Sequence, residues 1–338
     1  MRRTSLIAVL FAIIGALSAI DLFLARTENR ETRAEAGHNF ADGARLLAAN
    51  RPEEAVDAFR KAYALDRSNQ TYALQLAAAM IAAGKLDEAQ SLLADLLQSS
   101  PNNGEANLLE ARLLLRQERF EEAEPYFHRA IYGTWSENAA VRRVQVRLEF
   151  AAFLASRGAA KELLAELLPL ETEAHDLPTR KRVAHLYMVA NSPARAAAAY
   201  RDLIRDDPHD HSNQAGLGQA ELALGDYRAA VNAFRAAGAA DQAALASQVE
   251  SLDPTPRRLS AAEKLARSTR ILQLVRESLA RCQAAPPPDP PARRIAAPTN
   301  EMAEERLALA EQIWAHRIAA CGPGEESLNL VMSKVSGK

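Results

Sequence analysis

The hydrophobic and polar positions of this chain follow the spacing of short amphipathic helices that recur at a fixed interval. In residues 84–103 a short polar turn leads into a helix with one apolar face, and a proline ends it. The same order of turn and helix stands 34 residues earlier, in 50–69, and 34 residues later, in 118–137. No convincing alternating strand pattern interrupts the series, and glycine contributes only 14 residues. The pattern therefore predicts an all-α chain built from a repeated helical unit.

Residue size repeats with the same period as the hydrophobic pattern. In each copy an alanine is followed, four residues later, by a large apolar residue. The pairs are Ala55 with Phe59, Ala89 with Leu93, Ala123 with Phe127, Ala196 with Tyr200, and Ala230 with Phe234. A weaker copy lies near 144–176, after about six extra residues at 138–143. Small residues let two helices approach closely, and one helix pair cannot bury its apolar faces alone, so we expect the pairs to stack.

These copies resemble the tetratricopeptide repeat (TPR) family, whose pattern is a small residue, an alanine, an aromatic residue or leucine, another alanine and then a proline. Five copies fit this pattern well: Gly43, Ala55, Phe59 and Ala62; Ala77, Ala89, Leu93 and Pro101; Ala111, Ala123, Phe127 and Ala130; Ala184, Ala196, Tyr200 and Pro208; and Gly218, Ala230, Phe234 and Ala237. The family's early tryptophan is absent, and Leu163 replaces the alanine in the fourth copy. The resemblance implies a right-handed superhelical solenoid of about six helix-turn-helix repeats, at 36–69, 70–103, 104–137, 144–176, 177–210 and 211–244.

TPR arrays typically bind peptides or partner helices along a concave groove, so the resemblance implies a scaffold rather than an enzyme. The family's groove positions map onto Phe40, Ala44, Leu47, Leu74, Ala78, Ile81, Leu108, Arg112, Leu115, Arg116, Lys181, His185, Met188, Ala215, Gln219 and Leu222. We expect an apolar or amphipathic protein segment to dock against 40–81, with acidic residues reaching Arg112, Arg116 or Lys181. The alternative is that these side chains only pack between helices, or lie under the chain's own tail.

The amino end has a different pattern. An apolar run from Leu6 to Ala25, interrupted by Asp21, follows Arg2 and Arg3. About twenty helical residues span the apolar core of a bilayer, so 1–25 is predicted to be a transmembrane anchor and 26–35 a charged linker. A cleaved signal peptide is the alternative, because Ala16-Leu17-Ser18 forms a small-x-small site.

The charge of the amino tail bears on location. Basic residues before the apolar run favour a cytoplasmic tail and a periplasmic array. The sequence thus predicts a single-pass inner-membrane scaffold in an envelope-assembly or secretion-related complex. Two alternatives stay open: a cleaved periplasmic or secreted protein, and a membrane adaptor that faces the cytoplasm.

The 34-residue period fades after residue 244. The remaining chain is predicted to form a capping helix and break at 245–258, an amphipathic helix at 259–283, a proline-rich linker at 284–299, a second amphipathic helix at 300–321 and a flexible tail at 322–338. Leu265, Leu272 and Leu279 form an apolar stripe on the first amphipathic helix. A homodimer through these carboxyl-terminal helices is therefore a further hypothesis.

The two cysteines, Cys282 and Cys321, sit near the carboxyl ends of the two amphipathic helices. An antiparallel hairpin would hold them about 30 Å apart, too far to bond. A linker that crosses back and makes the helices parallel would allow a disulfide. Two buried thiols are an equally ordinary outcome.

Composition and motifs narrow the chemistry. The 41 basic and 43 acidic residues give a net charge of −2, which argues against a nucleic-acid binder. Asp206, Asp207, His209, Asp210 and His211 cluster at a turn, where aspartates serve as helix caps, so we predict no metal site. No phosphate loop, dinucleotide fingerprint, zinc motif or nucleophile elbow is found in the sequence. We therefore predict no cofactor and no catalytic site, and an enzyme completed by 259–321 is a weaker alternative.

Overall fold

The computed structural model describes residues 27–282, apart from residue 29, and residues 299–337. Within these residues the chain is helical, with short turns and one isolated bridge between Asn103 and Thr134. This confirms the all-α prediction for the described part of the chain. The chain divides into two compact units between Phe150 and Ala151.

The predicted membrane segment does not carry over to the structure. Across 27–282 and 299–337, residue 29 aside, no helix combines the length and apolar character that crossing a bilayer requires. This finding contradicts the predicted single-pass inner-membrane location, because none of the described helices supplies the span. The apolar segment 1–25 itself lies outside the described residues.

Unit 1 consists of consecutive helices joined by short turns. They are α1 (30–48), α2 (Pro52–Leu65), α3 (Gln70–Ala82), α4 (Leu86–Ser99), α5 (Gly104–Arg116), α6 (Phe120–Tyr132) and α7 (Ala139–Ser156), whose last six residues belong to unit 2. From α2 to α6 each helix packs against the next, and α3 also contacts α5. Stacked helix pairs of this kind are the arrangement that the sequence period predicts.

Asparagine side chains begin two helices of unit 1. The Asn69 side chain accepts a hydrogen bond from the Thr71 N–H at 3.1 Å, at the start of α3. At the start of α5, Asn103 accepts one from the Ala106 N–H at 3.0 Å. Each bond satisfies a backbone donor that has no partner inside the helix. These caps fix where α3 and α5 start, and therefore which residues of the two helices lie side by side.

The small and large residues of the repeat pattern meet in the core of unit 1. The side chains of Ala55, Phe59, Ala89, Leu93, Ala123 and Phe127 have no exposed surface. Gly43 shows how tight the packing is, because a Cβ atom there would lie 2.8 Å from the Phe59 ring. A glycine on α1 thus makes room for a ring on α2.

Unit 2 holds the later repeats and the carboxyl-terminal helices. Its helices are α8 (Ala160–Glu173), α9 (Leu177–Val189), α10 (Pro193–Asp206), α11 (His211–Leu224), α12 (Tyr227–Ala236), α13 (Ala240–Leu252), α14 (Ala261–Arg281), α15 (Thr299–Cys321) and α16 (Glu326–Val335). The glycine contact recurs here, since a Cβ on Gly218 would lie 2.6 Å from the Phe234 ring. In the fourth copy, where Leu163 replaces alanine, the leucine is fully buried.

Helices α14 and α15 run parallel to each other. The Arg306 side chain donates to the Thr269 hydroxyl, Arg317 Nε donates to Ser278 Oγ at 3.0 Å, and a disulfide joins the helix ends. The partner residues advance together along both helices, from 269 and 306 to 282 and 321, which only parallel helices allow. The antiparallel alternative is thereby excluded.

The apolar stripe of α14 is buried within the chain. Leu272, Val275 and Leu279 pack in one cluster with Ala310, Ile313 and Trp314 of α15. The face proposed for a homodimer is therefore already covered by the chain's own second helix.

The structure has a helix where the sequence predicts a flexible tail. In α16 the side chains of Val331 and Met332 are buried against the same cluster, which also contains Val249 and Leu252 of α13. The tail is ordered because its apolar residues cover the exposed side of α13, which no later repeat covers.

Candidate functional site

A cavity lies between the first helices of two successive repeats in unit 1. We call it the α3–α5 pocket. It has a volume of about 340 Å³ and is lined by Ala78, Ile81 and Ala82 of α3 and by Leu109, Arg112, Leu115 and Arg116 of α5. On each helix these residues are spaced three or four apart, which places them on one face. The small side chains of Ala78 and Ala82 leave the space that forms the pocket.

The lining of the α3–α5 pocket carries positive charge and no carboxylate. Arg112 donates from Nε and Nη2 to the two oxygens of Glu149 on α7, both at 2.7 Å. These hydrogen bonds raise the pKa of Arg112 and fix its guanidinium, while Nη1 stays available as a donor. Arg116 is exposed and forms no ion pair with any described residue. The pocket therefore combines an apolar floor with one fixed and one unpaired cation at its rim.

The other groove residues predicted in unit 1 lie mostly in the core. Leu74, Ile81 and Leu108 are each less than a tenth exposed. Phe40 is half-buried, with its ring centroid 5.4 Å from that of Phe59. Among the predicted positions, the side chains that reach the surface are Ala44, Arg112 and Arg116, with Leu47, Ala78 and Leu115 half-buried. Much of the apolar stripe thus packs between helices, and the surface that can meet a partner narrows to the α3–α5 pocket.

Comparison with known proteins decides the family. Residues 46–99 and 80–132 match a sequence model for the tetratricopeptide repeat, and residues 184–244 match a second model for the same repeat. The chain is a tetratricopeptide repeat protein. A search of the curated proteins finds no significant match to its sequence.

Several solved structures resemble the TPR protein in fold. One is the carboxyl-terminal part of a TPR repeat-containing protein from Cytophaga hutchinsonii, with 11% identity over 86% of this chain and 99% of that one, and a TM-score of 0.46. Another is a tetratricopeptide repeat protein from Parabacteroides merdae, with 12% identity over 90% of this chain and 100% of that one, and a TM-score of 0.41.

The predicted groove residues of unit 2 differ from those of unit 1 in having a paired cation. Lys181 on α9 forms an ion pair with Asp210, and this bond holds the pKa of Asp210 well below its usual range. Asp210 also caps α11 by accepting from the Ser212 N–H at 2.9 Å. His185 and Gln219 are exposed, while Met188, Ala215 and Leu222 are half-buried. Lys181 of the TPR protein is therefore occupied by its own chain.

A second cavity, in unit 2, has balanced charges. Its volume is also about 340 Å³, and Glu171, Tyr187 and Arg195 lie in its lining. Glu171 accepts from the Tyr187 hydroxyl at 2.6 Å and from Arg195 Nη1 at 2.7 Å. Burial, followed by the bond to Glu171, raises the pKa of Tyr187 well above its usual range. These groups satisfy one another, so the cavity offers a charged ligand less than the α3–α5 pocket does.

The acidic and histidine cluster at 206–211 serves the turn between α10 and α11. Asp206 pairs with Arg180 at 2.5 Å, Asp210 pairs with Lys181, and His211 Nδ1 lies 3.0 Å from the Ala236 carbonyl oxygen. In the part of the chain that the structure describes, no three of these ligand types come together in a way that could hold a metal ion.

Glu149 and Ala82 belong to the candidate site but were missed by the sequence reasoning. Glu149 lies in the fourth repeat, where the six extra residues shift the register, so the simple 34-residue interval does not place it beside Arg112. Ala82 follows Ala78 by one helical turn, and this spacing was the signal that could have revealed it.

Proposed function

We propose that this TPR protein is a scaffold whose α3–α5 pocket binds a segment of a partner protein that presents an apolar side chain and, within one helical turn, a carboxylate. The observation that supports the proposal is the lining of the pocket, in which Ala78, Ile81 and Leu115 stand beside Arg112 and Arg116 without any acidic residue. TPR proteins generally act as interaction scaffolds, and fold alone does not choose the partner.

The proposed segment matches the pocket in size and charge. A cavity of about 340 Å³ accommodates one large apolar side chain, and removing that side chain from water contributes about 1.5–3 kcal/mol. A carboxylate next to it can accept hydrogen bonds from Arg116 and from Nη1 of Arg112. Such charge-assisted bonds are about twice as strong as neutral ones, and a basic residue in the segment would be repelled.

The structure changes which substitutions can test this site. Aspartate in place of Leu74 or Ile81 would enter the core, since both side chains are less than a tenth exposed. Ala82 and Arg116 are exposed, so Ala82→Trp should fill the pocket and Arg116→Glu should reverse its charge without unfolding unit 1. Arg235→Glu on α12 is a matched control, because Arg235 is also exposed.

The test uses random 12-residue peptides selected for binding to the full chain. We expect enrichment of peptides with leucine, isoleucine or phenylalanine within four residues of aspartate or glutamate. Their affinity, measured by fluorescence anisotropy, should fall roughly tenfold or more with Arg116→Glu and with Ala82→Trp, and stay unchanged with Arg235→Glu. Peptides that bind all three variants equally would end the proposal.

We further propose that the protein works in an oxidising compartment, as a periplasmic or secreted protein. The observation that supports this location is the disulfide between Cys282 and Cys321, because such bonds persist outside the reducing cytosol. A role in an envelope-assembly or secretion-related complex would follow from such a location. Alkylation of the protein inside intact cells tests the location: both cysteines should resist the reagent until a reductant is added, and ready labelling would contradict it.

A further inference from the structure

The corner between α6 and α7 is a second, separate feature of unit 1. The chain there leaves the 34-residue register, and the loop 133–138 joins the two helices. Trp135 holds this loop in place, because its Nε1 donates to the Ala130 carbonyl at 3.0 Å and its ring lies where a Cβ on Gly104 would come within 2.4 Å. Thr134 N–H also donates to the Asn102 carbonyl at 2.7 Å. We call residues 126–147 the α6–α7 corner.

The α6–α7 corner presents large apolar side chains to solvent. Tyr132 is 72% exposed and Val141 is 56% exposed, which are the two highest values for large hydrophobic residues in the described ranges of the chain. Isolated exposed apolar residues are ordinary on protein surfaces. Here, however, the two lie at the ends of one short, well-anchored loop, which makes them available together.

Positive charge concentrates at the same corner. Residues 126–147 contain four arginines and a single acidic residue, Glu137, in a chain whose net charge is −2. The guanidinium of Arg129 lies 4.7 Å from the ring centroid of Tyr126, and that of Arg142 lies 6.0 Å from the Trp135 ring. Stacking of this kind holds a guanidinium by its face and leaves its N–H edge as donors. Neither Arg129 nor Arg142 forms an ion pair within the described part of the chain.

We propose that the α6–α7 corner binds an acidic segment of a protein partner, with Arg129 and Arg142 holding its carboxylates and an apolar or aromatic side chain packing on Tyr132 and Val141. Tyrosine and arginine carry much of the binding energy at protein interfaces, and fixed arginines lose little freedom on binding. The charge of the corner selects the partner, since its unpaired cations meet only one carboxylate of their own chain.

A nucleic acid is a poorer occupant of this corner. Tight binding of nucleic acids normally engages six to ten phosphates, whereas the corner holds only four arginines. Bases also bind by stacking on aromatic rings, and guanidinium groups already cover one face of Tyr126 and one face of Trp135.

The experiment separates the corner from the α3–α5 pocket. The bait is the full chain carrying Ala82→Trp and Arg116→Glu, from which 12-residue peptides are selected from a random library. We expect acidic peptides with an aromatic or aliphatic residue to be enriched. Their dissociation constants, measured by fluorescence anisotropy, should rise at least roughly tenfold when Arg129→Glu and Arg142→Glu are added, and roughly fivefold with Tyr132→Ala.

Two controls decide between the outcomes. The pair Arg182→Glu and Arg270→Glu makes the same charge change at exposed positions of unit 2 and should leave the affinity within about twofold. If the glutamate pair at the corner reduces the helical circular dichroism signal, Arg129→Gln with Arg142→Gln replaces it. The proposal is wrong if no acidic peptide is enriched, if the selected peptides bind corner and control variants alike, or if poly(U) RNA binds the corner more tightly than the peptides at physiological salt.

Discussion

At the scale of single residues, the approach of paired helices depends on the absence of one carbon atom. A Cβ on Gly43 would lie 2.8 Å from the Phe59 ring, and one on Gly218 would lie 2.6 Å from Phe234. Both rings are buried, so neither can move aside without disturbing its neighbours. The glycines are therefore part of the packing, in positions where other repeats have alanine and a smaller or differently placed partner.

The first prediction compares two glycines of the same helix. Gly43→Ala should lower the free energy of unfolding by about 1–3 kcal/mol, because the added methyl group overlaps the Phe59 ring. At Gly37 an added Cβ meets no atom within 4 Å, so Gly37→Ala should be neutral or stabilise α1 by up to about 1 kcal/mol. Urea unfolding of both variants checks this, and equal effects would contradict the account of the helix contact.

Glu110 gives a prediction that depends on pH. Its side chain is 6% exposed, its Oε2 has no hydrogen-bond partner among the described residues, and burial raises its pKa despite Arg119 nearby. A raised pKa means that the folded state holds the proton more tightly than the unfolded state. This contribution to stability is present in acid and is lost as pH rises through the folded pKa.

Glu110→Gln should therefore raise the free energy of unfolding at pH 7 by about 1 kcal/mol, since the buried charge is removed. The gain should shrink towards pH 4, where the carboxyl group of the parent protein becomes neutral. Thermal unfolding at both pH values measures the difference, with Glu53→Gln on the exposed face of α2 as the control. A gain that does not change with pH would contradict the assigned cause.

At the scale of elements, the sequence predicted the helices of the repeats better than the end of the array. The repeats announce themselves because Ala89 and Leu93 recur at a fixed interval, which local pattern is enough to reveal. Helix α16 was not predicted, although Leu328, Val331 and Met332 have helical spacing. Its stability comes from Val249 and Leu252, about 80 residues earlier in the chain, and no local pattern shows such a contact.

Helix α16 is held by one lysine as well as by its apolar face. Lys334 Nζ donates to Asp253 Oδ2 at 2.7 Å and lies 4.5 Å from the Tyr227 ring centroid, while burial, followed by the nearby Asp253, raises the pKa of Tyr227 to about 12. Lys334→Ala should cost about 1–3 kcal/mol, because it leaves the Asp253 carboxylate, which is 3% exposed, without its cation. Hydrogen exchange should accelerate across 326–335. Lys264→Ala is the control, and slow exchange in both variants would contradict this role.

The disulfide joins α14 and α15 across a separation of 39 residues. Closing a loop of that length restricts the unfolded chain, so Cys282→Ser should lower the stability of unit 2 by about 2–4 kcal/mol. Thermal unfolding with and without reductant measures the loss. The parent protein in reductant should match the serine variant, and a parent protein indifferent to reductant would contradict the prediction.

At the scale of the whole molecule, each unit combines repeats with a distinct additional feature. Unit 1 carries the α3–α5 pocket and the basic α6–α7 corner, and unit 2 ends in the helices α14 to α16. The sequence pointed to Arg112 and Arg116 as partner contacts, yet it could not show that Glu149 already binds Arg112. Which cations stay available depends on side-chain pairing between repeats, and the repeat pattern contains no information on that pairing.

The most direct test of the central claim is site-specific photo-crosslinking in the host cell from position 82, which lines the α3–α5 pocket and is exposed. We predict crosslinks to a defined protein segment that has an apolar residue within one helical turn of an aspartate or glutamate. Arg116→Glu should abolish these crosslinks, and a probe at the exposed Asp95 of α4 should not form them. If position 82 captures nothing, or captures the same proteins as position 95, the α3–α5 pocket is not a partner-binding site.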